Sequence, residues 1–128
     1  MAARVLIVED EESILLSLEF LLGKEGHAVS AARDGAEALR LLEAQPPDLV
    51  LLDVMLPLID GFELCRRIRA MPALAATRIM LVTARGREAE VARGLALGAD
   101  AYLTKPFSTR ELMEKVRDLL AAPRPPSR

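Results

Sequence analysis

Three observations predict an α/β fold built on a doubly wound parallel sheet. Five short apolar stretches alternate with five stretches of helical spacing; those near Val5, Leu49 and Ile79 are apolar throughout; and those near Val29 and Tyr102 are small or mixed. Such alternation gives parallel strands joined by right-handed crossovers. Strands apolar on both faces belong at the centre of the sheet and mixed ones at its edges. With consecutive strands adjacent wherever possible, the order is 2-1-3-4-5, and its direction reverses between strands 1 and 3.

The first strand is Arg4-Val5-Leu6-Ile7-Val8, and four acids, Glu9 to Glu12, follow it directly. Ile14, Leu15, Leu18, Leu21 and Leu22 give the next helix one buried stripe, stopped by Gly23 and Gly26. Glu11 and Glu12 suit the positive end of that helix's dipole, an explanation that does not extend to the acids at the strand end itself. Residues Ala28 to Ala32 read as a weak edge strand, and His27 before it as a solvated loop residue without a metal partner. Asp34-Gly35-Ala36-Glu37 resembles a capping box ahead of a helix with Leu39 and Leu42 inward, closed by Pro46-Pro47. The central strand, Leu49 to Leu52, ends on Asp53, and Pro57 and Asp60-Gly61 stop the apolar run. Asp60 to Glu63 repeats the capping pattern, and the spacing of Leu64, Cys65 and Ile68 turns Cys65 inward as a small buried hydrophobe. Ile79 to Val82 is the fourth strand, ending in Thr83-Ala84-Arg85-Gly86. A short helix from Val91 to Leu97, a turn at Gly98 and a weak strand Ala101-Tyr102-Leu103 come next, then Thr104-Lys105-Pro106-Phe107. Ser108 to Glu111 is a strict capping box for a last helix with Leu112, Val116, Leu119 and Leu120 inward. The globular unit is expected over residues 1–121, with 122–128 a Pro-rich tail or the start of a linker.

The chain's 128 residues suffice for one domain with a core that needs no disulfide, and the single cysteine cannot form one within the chain. No signal-peptide pattern or membrane-length apolar run is present, so a cytoplasmic protein is expected. A net charge of −2 with interspersed signs, no Trp and four Phe plus Tyr residues is poor equipment for binding nucleic acid.

The predicted strand order brings chemistry to one edge. Glu9 and Asp10 fall beside Asp53, Thr83 ends the next strand and Lys105 the one after, so all five rim the crevice where open α/β sheets bind ligands. Three carboxylates that close repel by roughly 1 to 4 kcal/mol per pair. Lys105 offsets one charge of the three. The remainder invites a hard divalent cation, and oxygen ligands alone favour Mg²⁺ over Zn²⁺. A cation and a lysine beside a carboxylate suit phosphoryl oxygens, and the carboxylate can itself be the nucleophile.

Over nearly its whole length the chain resembles the receiver domain of two-component response regulators, a flavodoxin-like (βα)5 fold. The matching set is Glu9-Asp10, Asp53 with Met55-Leu56-Pro57 after it, Asp60-Gly61, Thr83-Ala84, Gly98-Ala99-Asp100, Tyr102 and Lys105-Pro106-Phe107. The resemblance implies that Asp53 accepts phosphate from a sensor histidine kinase. It also implies that Asp10, Asp53 and the Met55 backbone carbonyl ligate Mg²⁺, with Glu9 contributing through water, and that Thr83 and Lys105 bind the phosphoryl oxygens. The Lys105-Pro106 bond should be cis, and Tyr102 should turn inward when Thr83 moves. The chain would then be a phosphoacceptor module, not an enzyme, that passes its state to an effector domain or output protein.

Met55, Arg85-Gly86 and the stretch from Gly98 to Val116 look most like receivers of winged-helix transcription factors, in which helix 4, strand 5 and helix 5 dimerise through salt bridges. Val91 and Ala101 are apolar where those receivers carry charge, so a weak homodimer on phosphorylation is expected, with Asp100, Glu111 and Lys115 as candidate partners. Leu58 stands where a glycine often follows the proline. A haloacid-dehalogenase-like enzyme would need a second Asp at position 55, which is Met, and the four acids would repel the phosphate of a flavodoxin's cofactor. A stand-alone or phosphorylation-independent binding module is the remaining alternative, opposed by the intact Asp10, Asp53, Thr83 and Lys105.

Overall fold

A computed structural model of the chain describes residues 2–84 and 88–121. Arg85, Gly86 and the Pro-rich stretch 122–128 lie outside the described residues. In order, the elements are β1 (Arg4–Val8), α1 (Glu12–Lys24), β2 (Ala28–Ala32), α2 (Gly35–Ala44), β3 (Leu49–Asp53), α3 (Gly61–Arg69), β4 (Arg78–Ala84), α4 (Glu88–Ala96), β5 (Ala101–Lys105) and α5 (Thr109–Ala121). A 3-10 turn, Pro72–Leu74, leads from α3 towards β4. Among the described residues the strands form one parallel sheet in the predicted order, β2-β1-β3-β4-β5.

The apolar pattern explains the layering. Alternate residues of a strand face opposite sides. Val5, Ile7, Leu49, Leu51, Met80 and Leu103 therefore join Leu15, Leu18 and Leu22 of α1 and Leu112 and Val116 of α5 in one core. Leu6, Val8, Val50, Leu52, Ile79 and Leu81 pack on the other face with α2 and α3 residues such as Leu42, Leu64 and Ile68. All five residues of β3 are buried, as its continuous apolar run requires.

Helix starts follow the capping signals. The carboxylates of Asp34 and Asp60 accept the backbone N–H groups of Glu37 and Glu63. Ser108 Oγ accepts from Glu111 N–H while Glu111 accepts from Ser108 N–H, a complete reciprocal box. Two boundaries differ from expectation. Helix α1 runs through Gly23 to Lys24, because the reversal of the chain is made at Gly26, where φ is +90°. Helix α4 begins at Glu88, a turn earlier than its apolar spacing indicated, with Glu88 and Glu90 complementing the dipole in its first turn.

Gly61 fixes how closely α3 approaches the end of β3. A Cβ there would stand 2.5 Å from the Asp53 carbonyl oxygen and 2.6 Å from Val54 Cα. Only glycine lets the helix start against the strand end. Cys65 is buried on α3, as its spacing indicated. His27 is half-buried and accepts the Ala3 N–H on Nδ1, so it ties the N-terminal residues to the β2 entrance.

Candidate functional site at the carboxyl edge of the sheet

Strand direction alone gathers the acidic residues. β1 and β3 are paired in parallel with Val8 opposite Leu52, so Glu9 and Asp53, the next residue of each chain, emerge side by side at the carboxyl edge. Ligand-atom oxygens of Glu9, Asp10 and Asp53 can all lie within 4.8 Å of one another. Asp10 is exposed, whereas Glu9 and Asp53 are only 2% and 4% exposed. β5 ends on Lys105, whose Nζ lies 3.0 Å from Asp53 Oδ2 and 3.2 Å from Glu9 Oε1. Asp53 Oδ1 accepts the Met55 N–H at 2.9 Å, and Glu9 Oε2 accepts the Glu11 N–H at 3.1 Å.

Two buried carboxylates thus share one ammonium, which leaves the pair short of positive charge. Burial pushes the Glu9 carboxyl up to about 7; the Glu11 N–H opposes that rise, and the charge and hydrogen bonding of Asp53 add to it. Burial works against charged Lys105, but the hydrogen bonds and charges of Asp53 and Glu9 outweigh it and hold the amine above its ordinary value. The donor set is carboxylate oxygen throughout and suits a hard divalent cation that would relieve this repulsion.

The residues expected to act as a switch are placed less simply. Thr83 ends β4 and is 3% exposed, but its hydroxyl donates to Glu90 Oε1 of α4 at 3.0 Å. Sequence reasoning placed Thr83 on the crevice rim and gave Glu90 no role. The available signal is a carboxylate in the first turn of the helix that follows a strand-end hydroxyl, and the apolar spacing hides it because that spacing begins only at Val91. Tyr102 is outward and 38% exposed. Lys115 clamps it, with Nζ donating to the Tyr102 carbonyl at 2.6 Å and lying 4.7 Å from the ring centroid. Lys105-Pro106 is cis, as expected.

The two candidate dimer residues besides Lys115 also have internal work. Asp100 Oδ2 accepts from Arg69 Nη2 and from the Ile79 N–H, both at 2.8 Å, and Arg69 donates further to the Gly98 and Leu74 carbonyls. Glu111 closes the α5 cap. No sequence pattern announces the Arg69–Asp100 pair, because its partners come from different helix and loop positions 31 residues apart.

A doubly wound sheet with a buried acid pair, a lysine and a hydroxyl at its carboxyl edge defines a class of α/β domain whose polar site lies at the strand ends. The model of the response regulator receiver domain matches residues 5–117, and the chain belongs to that family. It is 46% identical over 125 residues, 98% of its length, to the phosphate regulon transcriptional regulatory protein PhoB of Rhizobium meliloti (strain 1021). With the alkaline phosphatase synthesis transcriptional regulatory protein PhoP of Bacillus subtilis (strain 168) it shares 44% identity over 120 residues, 94% of its length. The chain spans about half of each relative, 55% and 49% respectively. A crystal structure from Chloroflexus aurantiacus J-10-fl superposes with a TM-score of 0.91 at 37% identity, covering 95% of this chain and all of that one. No helix among the described residues is long and apolar enough to cross a membrane.

Proposed function

We propose that this receiver domain is a phosphorylation-dependent switch in which Asp53 takes a phosphoryl group from the phosphohistidine of a sensor kinase. The supporting observation is the buried Asp53–Lys105–Glu9 arrangement, a nucleophilic carboxylate held beside a cation that can pass to a phosphoryl oxygen. An Asp53 oxygen attacks phosphorus, the N–P bond breaks, and its electron pair returns to the imidazole. Glu9, Asp10, Asp53 and the Met55 carbonyl would hold Mg²⁺, which when bound neutralises charge on the transferring group. Lys105 then pairs with one phosphoryl oxygen and the Thr83 hydroxyl donates to another. The Met55 N–H, already on Asp53 Oδ1, keeps the carboxylate oriented.

In this reading residues 1–121 are the receiver and 122–128 a Pro-rich tail or the start of a linker. Since the two relatives are transcriptional regulatory proteins, we assign this receiver a transcriptional output in the cytoplasm, with the sensor kinase and an effector domain or output protein as partners. Mass spectrometry after treatment with acetyl phosphate checks the chemistry. Label is expected on Asp53 in Mg²⁺ alone; equal labelling in EDTA, or undiminished labelling of Asp53→Asn, would overturn the assignment.

A further inference from the structure

The hydrogen bond between Thr83 and Glu90 has a consequence for how the site reports its state. A hydroxyl carries one proton and can donate one hydrogen bond at a time. In this structure that proton is given to the Glu90 carboxylate, 3.0 Å away on the first turn of α4. Thr83 is 3% exposed, so water does not compete for the proton. A carboxylate is a stronger acceptor than a neutral oxygen, and a charge-assisted bond in such a place is among the stronger kinds.

We propose that Glu90 is a positioning residue, a latch that holds Thr83 in the resting state by competing with the phosphoryl group for its single proton. The inference rests on the proposed phosphorylation of Asp53. When a phosphoryl oxygen takes the Thr83 proton, the bond to Glu90 breaks, and the first turn of α4 loses its attachment to the end of β4. The phosphorylation state thereby reaches α4 directly, beside any movement of Tyr102 on β5. The same competition lowers the affinity of the resting domain for the phosphoryl group, because one bond must be broken before another is made.

The test is a double-mutant cycle read by titrating beryllofluoride in Mg²⁺ against wild type, Glu90→Ala, Thr83→Ala and the double variant. Removing the latch should raise affinity by roughly three- to tenfold in the wild-type background, the scale of one hydrogen bond to a charged group after solvation of the freed partner. In the Thr83→Ala background the same change should have almost no effect, since the contested proton is gone. Without ligand, Glu90→Ala should also move the Thr83 methyl resonance towards its position in the beryllofluoride complex. Should Glu90→Ala not fold, Glu90→Gln, which keeps the shape and removes the charge, carries the same cycle with a smaller gain. An equal gain in both backgrounds would reduce Glu90 to a nearby negative charge and overturn the latch. No gain in a wild-type background that binds beryllofluoride normally would also overturn it, while leaving the Asp53 reading intact. A wild type that binds no beryllofluoride would overturn that reading, and the latch with it.

Discussion

Glu9 carries the largest residue-scale consequence, because its carboxyl titrates at about 7 in the folded domain, mainly through burial, against 4.5 ordinarily. The folded state therefore binds more protons than the unfolded state across that interval, and linkage makes stability fall as pH rises from about 4.5 to about 7, then level off. Thermal unfolding of metal-free protein over that range should show the decline, and Glu9→Gln should flatten it; an unchanged slope in the variant would assign the titration elsewhere. Leu58 offers a second measurement. Its φ is +70° and its side chain is 82% exposed, so it bears left-handed strain with little burial in return. Leu58→Gly should remove that strain at the expense of extra freedom in the unfolded chain, for a net gain of about 0.5 to 1 kcal/mol by urea denaturation. A loss of stability would mean the loop draws support from the leucine. The family resemblance implied a glycine at this position; the backbone angle that explains it was not legible in the sequence.

At the scale of elements, β4 and α4 hold the Thr83–Glu90 bond on which the proposed switch rests, and they are also the least legible part of the sequence. The strand order could be read from which runs were wholly apolar, and it placed Glu9, Asp53 and Lys105 together because a parallel sheet puts all its carboxyl ends on one edge. Side-chain direction at such an end is a different matter. Thr83 could have faced the crevice or α4, and only the position of Glu90 on an earlier helix start decides it. The Asp100 engagement was equally hidden, since Arg69 reaches it from α3 across a turn. For the switch itself, Thr83→Ala should still be phosphorylated on Asp53 yet transmit the signal poorly. Moving a population from 1:99 to 99:1 takes roughly 5.5 kcal/mol of differential binding. One hydrogen bond to a charged group supplies about 1.5 to 3 kcal/mol of it, so Lys105 and the Tyr102 rearrangement have to supply the rest. Chemical-shift changes around Tyr102 should shrink in the phosphorylated variant, and wild-type changes there would refute the coupling.

For the whole molecule, the question is whether phosphorylation pairs two copies through α4, β5 and α5. The resting structure leaves that face poorly equipped. Asp100 is committed to Arg69 and the Ile79 N–H, Glu111 to the cap of α5, and Lys115 to Tyr102. Val91 and Ala101 add no charge, while Leu95, at 44% exposed, and the outward Tyr102 offer a little apolar area. Exposed ion pairs contribute only about 0.2 to 1 kcal/mol each, so a face with few of them free should not hold a dimer at rest. Turning the Tyr102 side chain inward would take its ring away from Lys115 and leave the bond to the Tyr102 backbone carbonyl in place, so the ammonium, with two further protons to donate, is uncovered for a partner's carboxylate at the moment the site is occupied. A monomer is therefore expected without phosphorylation, and a weak dimer that dissociates as salt is raised when beryllofluoride and Mg²⁺ are bound. Sedimentation equilibrium in the two states, repeated at low and high salt, decides it: a tight dimer in both, or a strict monomer at high concentration with the mimic bound, would rule this pairing out.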